Sequence, residues 1–132
     1  MKVTYLLFAV LLLAWTGCST TRSGGRDRVG SETVLITYHV QAGKAAEFQG
    51  LLLQAWEIYR SEHMVYFRPH VLVRSLEEGD KVRFVEVFTW VRKPDHPPDN
   101  VTAIWQQEHS LCEARDGHAG IEGGEVRLIT GK

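Results

Sequence analysis

An α+β fold with the element order β-α-β-β-α-β is what this 132-residue sequence predicts. Three observations carry the prediction. Short segments with apolar residues at every second position are set apart from two longer ones with apolar residues at every third or fourth. Gly, Pro, Asn and Asp cluster between those segments rather than inside them. The two patterns also alternate along the chain in that order.

Residues 33–40, TVLITYHV, alternate: Val34, Ile36, Tyr38 and Val40 point one way, Thr33, Leu35, Thr37 and His39 the other, which predicts a first strand. Gly43 breaks it, and residues 44–63 follow with Phe48, Leu51, Leu52, Ala55, Ile58 and Tyr59 at helical spacing, a first helix of about five turns. YFRPHVLVRSL and KVRFVEVFTWV flank EEGD, whose Gly79 and Asp80 supply hairpin chemistry. Pro69 has no N–H for a ladder and places the second strand on a sheet edge. A Pro-rich loop ends at Asp99 or Asn100, either of which can cap a second helix over residues 101–115, with Val101, Ile104, Trp105, Glu108, Leu111 and Cys112 along one side. Glycines 117, 120, 123 and 124 end that helix, and GEVRLIT, residues 124–130, is expected as the fourth strand.

This order is the split β-α-β, ferredoxin-like arrangement: an antiparallel sheet with both helices on one face. The third strand is apolar on both sides, with Val82, Phe84, Phe88 and Trp90 facing one way and Val85 and Val87 the other. A second subunit is the economical cover for the remaining face, expected here to be the one bearing Phe84, Phe88 and Trp90.

The folded part is expected over residues 32–132. Residues 1–17 have Lys2, an apolar run from Tyr5 to Trp15 and small residues before Cys18, the layout of a secretory signal too short to span a bilayer comfortably. The WTGC ending resembles a bacterial lipoprotein signal, which implies lipidation of Cys18; Ser19 after it implies, by the same resemblance, an outer-membrane location facing the periplasm. Residues 18–31, rich in Ser, Thr, Gly and Arg, read as a flexible tether. Losing Lys2 leaves 14 basic residues against 16 acidic, a balance that implies no nucleic-acid partner. Cys112, alone once Cys18 is lipidated, reads as a structural thiol in an apolar helical pattern.

TVLITYHVQAGKAAEF, the long helix after it, RFVEVFTW and IWQQEHSLCEA resemble the antibiotic biosynthesis monooxygenase domain, over roughly residues 32–130. That resemblance implies a dimeric α+β barrel, and an activity among quinol monooxygenases and haem-degrading enzymes. It lies closest to a functional position at His109.

Within the strands, polar side chains among apolar ones are the main pointer to chemistry, because a charge on a covered face must be paired or used. Glu86 shares its side of the third strand with Phe84, Phe88 and Trp90, where burial would suit it to act as a general base toward a phenolic or quinol hydroxyl. A structural ion pair with an Arg or His of the first or second strand explains it equally well. His39 is expected beside the third strand, the two being taken as central and parallel. Arg68 and His70 share one side of the second strand, Phe67, Pro69 and Val71 the other. Two or three of His39, Arg68, His70 and Glu86 are therefore expected to meet, on a sheet face that pleat parity leaves open.

On the first helix, Glu57, Arg60 and His63, with Trp56 beside them, read as a surface group. On the second, Trp105, His109 and Glu113 stand one turn apart and would aim a carboxylate-oriented histidine into the cavity. The expected site thus has Glu86, His39 and His109 as catalytic groups, with Arg68, His70, Phe88, Trp90 and Trp105 around the substrate. The histidines lack metal-ligand spacing and GHAGIEGGE follows a helix instead of opening one, so neither a metal site nor a phosphate loop is expected. The functional expectation is a cofactor-independent monooxygenase acting on a quinol-like or aromatic small molecule at the cell envelope. The alternative is a non-catalytic lipoprotein using the same cavity to bind an apolar ligand or partner. Haem binding, implied only by the wider family, ranks last, because Thr37 or His39 stands where the resemblance calls for asparagine.

Overall fold

The structure, a computed structural model, describes residues 30–129. Seven elements follow in the expected order: β1 (Glu32–Val40), α1 (Ala45–Ser61), β2 (Val65–Leu76), a short 3-10 turn (Glu78–Asp80), β3 (Val82–Trp90), α2 (Asp99–Leu111) and β4 (Ile121–Glu125). The strands form one antiparallel sheet in the order β2-β3-β1-β4, the ferredoxin-like α+β arrangement. As Pro69 requires, β2 is an edge strand. Among the described residues no helix is long and apolar enough to cross a membrane.

Both helices cover one face of the sheet. Phe84, Glu86, Phe88 and Trp90 of β3 and Val34, Tyr38 and Val40 of β1 are buried on that side, against Phe48, Leu52, Ala55 and Tyr59 of α1 and Val101 and Ile104 of α2. Phe48 and Phe88 are fully shielded from water, and each contributes about 1.5–3 kcal/mol of transfer free energy. The opposite face carries Val71 and Val73 of β2, paired with Val87 and Val85 of β3.

Four expectations are corrected. β1 and β3 are central but antiparallel, because each split β-α-β unit places a strand of the other unit, running the opposite way, between its own two parallel strands. Phe84, Phe88 and Trp90 are covered by the chain's own helices, so the face left open is the other one, half-buried at Val85 and Val87 and about half-exposed at Val71 and Val73 (48% and 50%). Pro98 is the N-cap of α2, its carbonyl accepting from Val101 and Thr102, and the helix stops at Leu111 because Cys112 turns extended to bridge Val40. β4 lies at residues 121–125, not 124–130. Gly123 and Gly124 sit within it opposite Ile36 and Leu35, glycine being a poor strand former that the neighbouring strand here overrides.

Candidate functional site

Glu86 occupies the centre of β3 on the helix-covered face, opposite Ile36 of β1 and Leu72 of β2. Its diagonal neighbours are His70 on the edge strand and Tyr38 on the central strand, within reach of a long side chain. Both bond to it. His70 Nε2 lies 2.9 Å from Glu86 Oε1, and the Tyr38 hydroxyl donates to Glu86 Oε2 at 3.0 Å. The carboxyl group is 2% exposed, and two bonds meet the demand that its burial creates.

His70 is the member of this chain that meets solvent, its side chain 19% exposed. The Trp56 indole of α1 lies flat on the imidazole, ring centres 3.6 Å apart and planes 9° from parallel. Trp56 in turn meets Phe88 edge-on at 6.0 Å. Packing on one side and a hydrogen bond at Nε2 hold the ring in one orientation. Because a carboxylate oxygen only accepts, the bond also selects the tautomer with the proton on Nε2, leaving Nδ1 as the basic nitrogen. An open cleft of about 700 Å³ lies beside this ring, lined by Trp56, Phe67, Arg68, Pro69, His70 and Val71.

Deeper under the helices sits a second carboxyl group, Glu108 of α2, 4% exposed, with Oε1 buried and without a hydrogen-bond partner. Burial first, and the charge of Glu86 second, push its pKa up to about 8. Glu108 therefore holds its proton at neutral pH. Burial and the same two carboxyl groups also raise the Tyr38 and Tyr59 hydroxyls above their usual range, so both remain proton donors. Trp105 Nε1 donates to the Tyr59 hydroxyl at 2.5 Å.

The sequence-expected residues divide. Glu86 and His70 meet, and Arg68 shares the cleft with His70. Phe88 and Trp90 belong to the buried aromatic cluster behind Trp56, and Trp105 flanks it; none of the three lines the cleft. His39 falls on the opposite sheet face, one position out of phase with Tyr38. There it is buried, stacks on His118 at 5.8 Å and lies 4.0 Å from Glu122. Nearby Arg115 donates to the Val40 carbonyl at 2.6 Å and pairs with Glu77 and Glu113, tying the 113–118 turn to the β2–β3 hairpin. His109 is exposed on α2, and Glu113 is engaged by Arg115 and Lys81 instead of orienting it. Cys112 is half-buried, which pushes its thiol up to about 12.

Three residues that the sequence analysis did not place in the site belong to it: Tyr38, Trp56 and Glu108. Each had a signal. Tyr38 shares pleat parity with Val34 and Ile36. Trp56 follows Phe48 and Leu52 at four-residue intervals, on the stripe that α1 buries. Glu108 follows Ile104 by four on the buried stripe of α2, and a glutamate at a core position is itself an indication of use. Among the described residues no group of three or more His, Cys, Asp or Glu is arranged to hold a metal ion.

No protein-family model and no curated protein matches this sequence. The structure does match solved ones. SnoaB from Streptomyces nogalater, a cofactor-independent oxygenase solved as a single-site variant, superposes with a TM-score of 0.56 over 77% of this chain and 96% of its own, at 13% identity. A candidate antibiotic biosynthesis monooxygenase from Caulobacter crescentus superposes with a TM-score of 0.54 over 76% of this chain and 92% of its own, at 19% identity.

The fold is that of the antibiotic biosynthesis monooxygenases. On this monooxygenase fold, the Tyr38–Glu86–His70 chain runs from the central strand to the edge strand and ends at the cleft.

Proposed function

We propose that this protein is a cofactor-independent monooxygenase of quinol-like aromatic molecules, with His70 as its general base. The supporting observation is the hydrogen-bonded chain from Tyr38 through Glu86 to a histidine on the cleft wall. SnoaB's description as a cofactor-independent oxygenase adds to it. Glu86, taken from sequence as the base, is the residue that orients it: the carboxyl group has no access to the cleft, while the imidazole does. An orienting acceptor of this kind fixes the tautomer and stabilises the imidazolium once it forms.

In the proposed reaction, His70 Nδ1 takes the proton of an aromatic hydroxyl, and the resulting anion is electron-rich enough to reduce oxygen. One electron passes to O2. The aryloxyl radical, which carries spin density on the ring, and superoxide combine to form a C–O bond, and the proton held on His70 returns to the peroxide as the O–O bond breaks. The ring loses its hydrogen at the attacked carbon, so a quinol and O2 give a hydroxyquinone and one water. Trp56 supplies the apolar wall that such an anion needs to stay reactive.

Oxygen uptake with 1,4-dihydroxynaphthalene, corrected for the spontaneous rate, tests this. His70→Asn should lower enzymatic uptake by about 10²–10⁴-fold. Full activity in that variant refutes the assignment of the base. Binding without any uptake by the native protein favours the non-catalytic reading.

The setting is proposed with the activity. A second copy of the chain covers the open Val71, Val73, Val85 and Val87 face, since an isologous pair of identical sheets matches itself. Export and lipidation at Cys18 tether the domain at the cell envelope; the signal, residues 1–17, and the tether, residues 18–31, lie outside the described residues up to residue 29. Fatty-acid labelling that persists in Cys18→Ala refutes the tether.

A further inference from the structure

We propose that the cleft selects an aromatic molecule bearing an anionic substituent, such as a carboxylate, and that Arg68 is the group that binds the anion while Phe67 supports the ring. The proposal rests on the same cleft that the oxygenase reading uses, and deepens it by naming the class of substrate.

None of the six residues lining the cleft is acidic, and its single permanent charge is Arg68. Among the described residues Arg68 forms no ion pair; its guanidinium carbon lies 5.9 Å from the Phe67 ring centre. Arg60 of α1 also approaches, 5.1 Å from the same ring centre, but Glu57 already neutralises it through contacts of 3.1 and 3.4 Å. The mouth of the cleft therefore carries one uncompensated positive charge. Glu86 does not cancel it there, being 2% exposed and engaged by His70 and Tyr38.

Phe67 is the second observation. A phenyl ring 63% exposed on an edge strand gives up most of the transfer free energy that burial would return. Arg60 of α1 reaches over its ring, and the register of β2 shifts between Val65 and His70 around it. An aromatic ligand seated between Phe67 and Trp56 would bury that ring. A guanidinium beside two aromatic walls matches a planar anion in geometry: the fork binds carboxylate oxygens, and the rings exclude water around the bond.

Arg68 and His70 are separated by Pro69 alone, so the ligand presents its acidic group and its ionisable hydroxyl to neighbouring points of one strand. A neutral quinol would leave the guanidinium without a partner.

The test compares 1,4-dihydroxynaphthalene with its 2-carboxylate by anaerobic calorimetry on the intact protein at low ionic strength. The carboxylate should bind at least tenfold more tightly, about 1.4 kcal/mol. Arg68→Gln should bring the ratio of the two Kd values close to one, Arg68→Lys should give an intermediate ratio, and 0.5 M salt should reduce it in the native protein. Equal affinities in the native protein, a ratio preserved in Arg68→Gln, or no binding of either compound overturns the proposal. Oxygen uptake separates it from the reading beneath: an Arg68-dependent preference without His70-dependent uptake retains the anion site and removes the oxygenase. Uptake with equal affinities does the reverse.

Discussion

Glu86 shows how one residue can join scaffold and chemistry. From sequence it read equally as a base or as half of an ion pair, and in the structure it bonds to Tyr38 and to His70, the residue proposed here as the base. Glu86→Gln keeps the shape and lets Tyr38 donate to the amide oxygen, but it turns an NH2 group toward His70 Nε2. The imidazole must then carry its proton on Nδ1, facing away from that bond, and the base is lost. The expected result is a fall in turnover of about 10²–10⁴-fold with both hydrogen bonds kept, so the melting temperature should change by only a few degrees. Nitrogen NMR shifts of His70 should report the tautomer exchange; an unchanged tautomer with lost activity refutes the account.

Glu108 makes the stability of the fold depend on pH. Its folded pKa, about 8, lies above its unfolded value near 4.5, so between these the native state binds more protons than the unfolded chain. Stability must fall as pH rises through that window and then level off. This group contributes a slope of at most about 1.4 kcal/mol per pH unit. Denaturation from pH 5 to 8 should show the native protein weakening relative to Glu108→Gln, which cannot ionise. Parallel curves for the two proteins refute the buried, protonated carboxyl group.

Among the elements, α1 and the turn after α2 make opposite demands on glycine. Gly50 lies inside α1, and a Cβ there would meet nothing within 4 Å. Gly50→Ala should stabilise the protein by about 0.5–1 kcal/mol, by removing backbone freedom from the unfolded chain. The Gly120 carbonyl accepts from the His39 N–H, and a Cβ on Gly120 would stand 3.0 Å from the Glu113 nitrogen and 3.1 Å from its carbonyl carbon. Those contacts are with backbone, which yields little. Gly120→Ala should cost about 1–3 kcal/mol. Thermal melts of the two alanine variants should shift in opposite directions; a stabilised Gly120→Ala contradicts the packing described for that turn.

For the molecule as a whole, the question is what covers the sheet face that the helices leave open. Val71 and Val73, each about half-exposed, lie directly across from Val87 and Val85, an apolar strip on a sheet otherwise bordered by Thr33, Thr89, Arg83 and Glu122. A second copy placed there would remove the strip from water. Sedimentation of residues 30–132 at micromolar concentration should show a dimer, and Val73→Asp, which sets a charge against the strip, should give a folded monomer. A native protein that sediments as a monomer refutes the pairing. The cleft reaches this strip at Val71, while its Trp56 and His70 walls lie on the helix side.

The sequence by itself determined the element order, the edge position of β2 and the segregation of β3 into two faces, because these follow from local facts: side-chain period, proline's missing N–H and turn chemistry. It also singled out Glu86, Arg68 and His70, since polar residues among strand apolars stand out without a partner in view. Only the tertiary structure decided which face the helices cover, and with it that His39 and His109 stand apart from Glu86 while Tyr38 bonds to it, Trp56 stacks on its partner His70 and Glu108 is buried beneath the helices. A one-residue change of parity moves a side chain to the other side of a sheet. Strand direction had the same effect: taking β1 and β3 as parallel hid the diagonal that joins Tyr38 to Glu86. The fourth strand was misplaced because its Gly123 and Gly124 are held by pairing with β1, a non-local contact that no local propensity records.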